Sequence, residues 1–363
     1  MDPTSTSSLS RHHLLVVPAL LMISAAVFVL AMPASADCGH AGCGCGASCG
    51  GGDAPVPAAS RPNEAPPEPS TTPVPFTSLD AACDEARTRE VAVAVGSLVG
   101  PAMLTACLPW DSAEAKARIG ATPVQSLPLI LFDRSVEQSP QFQRLRNTQT
   151  LVETGDGYRI ANGRLRPASG LTLLGRDATP NHLDLFVMSL CPFGQSAQRV
   201  LADYLEAHPD RKITVRVHYI VNRTRYGVCA LHGEPEITEN VRQLVIQQRH
   251  PDRLRAYLAA RQSQPFEAAA AAAGLKPEDI VRHERQGSKL LERDAALTEQ
   301  LGIGTSPTFV WDNQRLIVSL QGLKTLEPFS DLIIPQQASG GCGAGGSKSP
   351  APAPRAQSPS AQP

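Results

Sequence analysis

The stretch Phe186–Leu201, FVMSLCPFGQSAQRVL, decides how the chain is read. An apolar run ends in Ser189-Leu190-Cys191-Pro192, and the residues behind it place Ala197, Val200, Leu201 and Leu205 at helical spacing. A strand therefore feeds a helix through a turn that holds one cysteine, with Pro192 suited to the first helical turn. A thiol attacks only as thiolate, and the unpaired N–H groups and dipole of a helix start favour that form. Cys191 is thus the candidate nucleophile, expected as an exposed thiol, with a buried inert cysteine as the plain alternative. Gly194 stands where the second sulfur of a Cys-x-x-Cys pair would be, so this turn alone cannot release a mixed disulfide.

Outward from this turn, KITVRVHYIV (212–221) alternates as a strand does, with Ile213, Val215, Val217 and Tyr219 on one face. Strand, helix and strand of these lengths predict a right-handed βαβ unit. From Ile237 to Leu301 the pattern turns helical, with Pro251 and Pro277 in first turns and Gly274 and Gly302 where helices stop. Then TFVW, the turn DNQ and RLIVSLQG predict a hairpin, and LEPFSDLI a closing helix. The order β-α-β, helical insert, β-β-α resembles the thioredoxin plan, with the insert where the DsbA family carries its own. The expected class is α/β: a thioredoxin-like domain at 180–334 with a helical insertion, after a smaller α/β segment at 79–175.

Two further motifs carry the resemblance. Ser306-Pro307 immediately precedes TFVW, and the likeness to thioredoxin-like folds implies a cis-proline loop lying against Cys191 and offering backbone groups to a bound peptide. CALHGEPEITEN (229–240) contains His232, Gly233, Glu236 and Asn240. It resembles the signature Cys-Gln-His-Gly-x-x-Glu-Cys-x-x-Asn of the gamma-interferon-inducible lysosomal thiol reductase family, which also carries Ser-Leu-Cys-Pro, here Ser189 to Pro192. Implied are Cys191 and Pro307 as catalytic positions, with Cys229 beside them, and Pro192, Phe193, Ser306 and His232 toward the substrate. The chain departs from that pattern at Gly194, at Ile237 and at the extra Leu231. His232 and Glu236 could instead simply cap the following helix. Release of Cys191 could come from an external thiol, from Cys229, or from Cys342 on its Gly-rich tether; otherwise the site only binds clients.

Residues 1–36 read as an export signal: Arg11, an uncharged run from Leu14 to Met32, and the small pair Ala34 and Ala36. All nine cysteines follow it, which suits an oxidising compartment. A periplasmic or secreted protein is expected, membrane-anchored only if the segment stays uncleaved. The net charge of −1 and the 4% aromatic content give no basis for nucleic acid as partner; cysteine-containing proteins or small thiols fit better, with no cofactor. Residues 37–78 and 335–363 are Gly-, Pro- and Ala-rich linker and tail. Cys38, Cys43, Cys45 and Cys49, with His40, could hold a soft metal. Their spacings of five, two and four residues match no common zinc frame, and disulfides or a redox-labile tail are the other reading.

In the smaller segment, VAVAVGSLVGP echoes LDLFVMSLCPF, with Val99 where Cys191 stands, and SLPLILFD echoes TSPTFVWD, pairing Pro128 with Pro307. The echoes hint at a degenerate second thioredoxin-like unit, but Val99 to Pro128 is 29 residues against 116 from Cys191 to Pro307. At most a trimmed βαβ fits, and an unrelated small α/β module is the other reading. Cys83 and Cys107 are candidates for a disulfide here. The function expected is thiol-disulfide exchange through a single cysteine; a catalytically inactive binding protein and a metal-handling protein are the alternatives.

Overall fold

The computed structural model describes residues 72–336 and the backbone of Cys342 and Gly343. These fall in one unit, Gly44–Pro363; the other, Met1–Cys43, lies outside the described residues. So do the signal segment and the candidate metal ligands Cys38, Cys43, Cys45 and Cys49. Among the described residues no helix is long and apolar enough to cross a membrane.

The chain begins with β1 (Val74–Asp80), α1 (Glu85–Val99) and β2 (Ala102–Pro109). β1 takes in residues that composition assigns to the linker. It pairs with β2 from Val74 onward but with its other neighbour only from Thr77, so Pro75 lies where the strand has one partner and its missing N–H costs little. The α1 N-cap is Asp84, whose carboxylate accepts from Arg87 N. Val91, Val95 and Val99, four residues apart, are buried in one cluster with Phe76, Ile130 and Phe132. The echo of the Cys191 stretch therefore fails: VAVAV alternates like a strand, but its cap and its one-sided burial make it the end of a helix. The counterpart of the Cys191 turn is the link between β1 and α1, which holds Cys83. Cys83 is disulfide-bonded to Cys107 on β2, with Cα atoms 5.7 Å apart.

Then follow α2 (Ala113–Ile119), β3 (Ser126–Leu127), β4 (Leu129–Asp133), α3 (Phe142–Asn147), β5 (Leu151–Glu153) and β6 (Gly157–Ile160). The first sheet has the order β2-β1-β4-β6-β5. β2 is parallel to β1, while β4 and β6 are antiparallel to their neighbours. β3 does not join it. The chain passes at Pro128, after a cis Leu127–Pro128 bond, from one sheet to the other.

The second sheet is built from β7 (Leu171–Leu173), β8 (His182–Val187), α4 (Pro192–Ala207) and β9 (Thr214–Tyr219), then a small hairpin of β10 (Asn222–Thr224) and β11 (Gly227–Cys229). The helical insertion follows as α5 (Glu234–Arg249), α6 (Pro251–Arg261), α7 (Phe266–Ala272), α8 (Pro277–Arg282) and α9 (Glu284–Leu301). β12 (Thr305–Ser306), β13 (Thr308–Trp311), β14 (Arg315–Val318), α10 (Ser319–Leu323) and β15 (Cys342–Gly343) complete the described chain. The order is β3-β7-β14-β13-β8-β9, with β8 parallel to β9 and β13 antiparallel to both β8 and β14. This is a thioredoxin-like fold with a helical insertion, and β2-β1-β4-β6 repeats the strand directions of β9-β8-β13-β14. The predicted hairpin strand stops at Val318, where SLQGL turns helical; LEPFSDLI forms only a short 3-10 turn at Glu327–Phe329.

The insertion is fixed to the sheet by polar contacts. β9 is an edge strand, and the Gln247 side-chain amide from α5 takes the place of a further strand: Val217 N donates to Oε1 (2.8 Å) and Nε2 donates to Val217 O (2.9 Å). Tyr219 OH donates to Gln243 Oε1 (2.6 Å), and Gln243 Nε2 to the buried Glu239 (2.7 Å), which also accepts from Tyr257 OH and Arg261 Nε. A buried carboxylate is tolerable there because three donors surround it.

Candidate active site

After β8 the chain turns through Met188–Cys191, and each side of the turn is held by hydrogen bonds. Met188 N donates to Ser306 Oγ (3.0 Å), Cys191 N to Met188 O (3.0 Å), and the Gln195 side-chain amide to Ser189 O (2.8 Å). Cys191 is the N-cap of α4, with Pro192 directly after it. The helix has no acidic residue in its first turn, so its positive end faces the cysteine without a counter-charge from that turn.

Cys191 is not the exposed thiol that the sequence suggests: its residue exposure is 0% and it is held in a disulfide. It lies in an apolar cluster with Leu171, Phe186, Met188, Ile220 and Ile303, against which Phe193 and Leu231 pack. The inserted Leu231 is thus part of the packing around this cluster. Cys191 Sγ is 4.0 Å from the Ser306 carbonyl oxygen, and the Ser306–Pro307 bond is cis.

Gly194 explains itself sterically. A Cβ built there would lie 2.6 Å from Ser306 Oγ, 3.0 Å from Met188 O and 3.2 Å from Val187 Cβ. The backbone of α4 approaches the cis-proline loop so closely that no side chain fits without displacing Ser306, which in turn holds Met188 N. Gly194→Cys is therefore expected to destabilise the protein by about 1–3 kcal/mol through overpacking. Denaturant unfolding at neutral pH checks this; a variant as stable as the parent would overturn the packing argument.

The His-Gly motif supports the turn from the other side. Glu236 is fully buried, and its Oε1 accepts from Leu190 N (3.0 Å) and lies 2.9 Å from His232 Nδ1, while Oε2 accepts from His232 N (3.3 Å). Gly233, at φ 76°, is the N-cap of α5, and no side chain caps that helix. Glu236 therefore ties α5 to the Cys191 turn rather than serving as a cap. Asn240, one helical turn on, is fully buried, and neither side-chain amide atom is hydrogen-bonded among the described residues. Cys229 is half-buried at the end of β11, opposite Asn222.

A charged cluster that the sequence does not announce lies beneath the site. His218 on β9 places Nε2 3.0 Å from Asp184 Oδ1 and Nδ1 2.7 Å from Asp294 Oδ1, while Asp294 Oδ2 accepts from Tyr219 N (2.9 Å). Burial opposes its charged form, but the hydrogen bonds and charges of Asp184 and Asp294 outweigh that and raise its pKa to about 9. Burial likewise works against the Asp184 carboxylate, yet hydrogen bonds and charge from His218 and His182 hold it below the ordinary carboxylate range. The His218 ring stacks on Phe186 at 4.8 Å, and Phe186 belongs to the cluster around Cys191. No group of three or more His, Cys, Asp or Glu among the described residues could hold a metal ion.

Comparison with known proteins comes from structure alone. No protein-family model and no curated protein matches the chain. Solved structures do: the thiol-disulfide exchange protein alpha-DsbA2 from Wolbachia pipientis shares 12% identity over 42% of this chain and 85% of that one, with a TM-score of 0.30. The oxidoreductase NmDsbA1 from N. meningitidis shares 13% over 41% and 81%, TM-score 0.30. ScsC of Proteus mirabilis in a compact conformation shares 19% over 36% and 69%, TM-score 0.24.

Proposed function

We propose that the protein is an exported thiol-disulfide oxidoreductase whose one cysteine in the strand-to-helix turn, Cys191, exchanges disulfides with cysteine-containing proteins or small thiols. The observation that carries this reading is the position of Cys191: at the N-cap of α4, engaged in a disulfide, and beside the carbonyl of Ser306 ahead of Pro307. A sulfur released there as thiolate would rest at the positive end of a helix, which makes it a good leaving group and a usable nucleophile. Export rests on the leading segment 1–36. The resemblance to lysosomal thiol reductases gives His232, Gly233 and Glu236 a task in this reading, that of holding Leu190 and so aiming Cys191. Pro192, Phe193, Ser306, Pro307 and His232 form the surroundings a client meets.

The test is thiol release from an aromatic disulfide. The reduced protein, mixed with a peptide carrying an aromatic disulfide, is expected to liberate the aromatic thiol in a fast phase that Cys191→Ser lacks. Identical release kinetics in the two proteins would refute exchange at Cys191 and leave a client-binding protein with a structural disulfide.

A further inference from the structure

Gly194 removes the local resolving sulfur, yet Cys191 is in a disulfide, so its partner comes from elsewhere. Cys83 and Cys107 are bonded to each other. Among the described residues, a C-terminal piece of chain reaches the cis-proline loop beside Cys191. β15, the two residues Cys342 and Gly343, pairs antiparallel with β12, and the register sets Cys342 opposite Ser306 and Gly343 opposite Thr305. Ser306 is the residue whose carbonyl lies 4.0 Å from Cys191 Sγ. Residues opposed in an antiparallel ladder have Cα atoms roughly 4.5–5.5 Å apart, so one residue, Ser306, has both cysteines as neighbours.

We propose that Cys342 is the resolving cysteine of this site and the disulfide partner of Cys191, delivered by the C-terminal segment as an added strand on the cis-proline loop. This rests on the reading of Cys191 as the exchanging sulfur. The sequence suits the task. Cys342 is flanked by Gly340, Gly341, Gly343, Gly345 and Gly346, which allow close backbone approach. Gln336 to Cys342 is six residues, able to span up to ~20 Å when extended. Leu332, four residues before that span, is buried in the main core, so the tether is anchored on the same domain.

The strand lies where an extended client would add its own backbone bonds. The tail therefore acts as an internal client. In the reductive direction the Cys191 thiolate attacks one sulfur of a client disulfide; the S–S bond breaks, the other client sulfur leaves as thiolate and takes a proton. The client swings away, β15 docks, and the Cys342 thiolate attacks Cys191 Sγ, forming the Cys191–Cys342 bond and expelling the second client thiolate. The client disulfide gains two electrons, and the two cysteines of the chain lose two. Reset requires an external dithiol. In the opposite direction the Cys191–Cys342 disulfide oxidises a client dithiol by the same steps reversed, and a low-molecular-weight disulfide resets it.

Non-reducing peptide mapping of the oxidised full chain tests the bond without a variant: a linked species containing the Cys191 and Cys342 peptides is expected, and Cys191 linked to any other cysteine would overturn the proposal. A second measurement challenges the reduced full chain, as wild type, Cys342→Ser and Cys342→Ala, with oxidised glutathione. Mass spectrometry of the Cys191 peptide is the readout: wild type is expected to end free of glutathione at Cys191 and linked to Cys342. Both variants should stop as the Cys191–glutathione adduct. A persistent adduct at Cys191 in wild type, or resolution of that adduct in the variants, refutes Cys342 as resolving cysteine while leaving exchange at Cys191 intact. No reaction of Cys191 in any of them refutes the underlying function as well.

Discussion

Replacing His218 by alanine is expected to cost about 3–5 kcal/mol of stability at pH 7, the range found when one partner of a buried ion cluster is removed. The imidazolium is the cation between Asp184 and Asp294, both largely buried, and its loss leaves two carboxylates facing the same space. Phe186 also loses its stacking partner. Urea unfolding with linear extrapolation measures the effect, and a loss under about 1 kcal/mol would show that water or rearrangement replaces the charge. The same cluster fixes a pH dependence. The folded pKa of His218, about 9 against the ordinary 6.5, means that its contribution is complete below pH 6.5 and is lost as pH rises through 9. The amount is ~3 kcal/mol by linkage. Asp184 acts in the opposite sense: its depressed pKa contributes above the ordinary carboxylate range and is lost as pH falls. Wild type should therefore lose stability between pH 6.5 and 9, and His218→Ala should lack that loss.

The thioredoxin-like half of the chain was legible because its signals are local. An apolar run into Cys191-Pro192, the alternating strand ending at Tyr219 and the capped helices of the insertion each declare themselves within a dozen residues. What stayed hidden depends on residues far apart in sequence. His218 sits on the polar face of an alternating strand and looks like a solvated position; only Asp294, 76 residues later on α9, makes it a buried cation. Glu236 and Leu190 are 46 residues apart, and the spacing of the His-Gly motif says nothing of the contact between them. The stretch VAVAV was misleading because alternating Val and Ala satisfies both the strand and the helix period over five residues, and the cap at Asp84 decides. The state of Cys191 was beyond the sequence for the same reason. Gly194 reads as a missing sulfur, whereas the close approach of Ser306, 112 residues on, makes it a steric requirement.

That packing has a counterpart on the side of Glu236, where a second large effect is expected. Glu236→Ala should cost about 2–4 kcal/mol, because it strips the acceptor from two backbone N–H groups, those of Leu190 and His232, and removes the partner of His232 Nδ1. The Leu190 N–H is the important loss. It belongs to the residue before Cys191, and without its acceptor the turn loses its tie to α5 through this side chain and keeps Met188 N to Ser306, Cys191 N to Met188 O and the Gln195 side chain to Ser189 O. Glu236→Gln keeps one acceptor oxygen but turns an NH₂ toward a donor, so it should fall between alanine and wild type. Stability alone would not separate a role in the turn from a role in α5. The rate at which Cys191 is reduced by a small dithiol does: if Glu236 holds the turn closed over the disulfide, Glu236→Ala is reduced faster than wild type and Glu236→Gln by an intermediate amount. An unchanged reduction rate beside lost stability would assign Glu236 to the helix and not to the active-site turn.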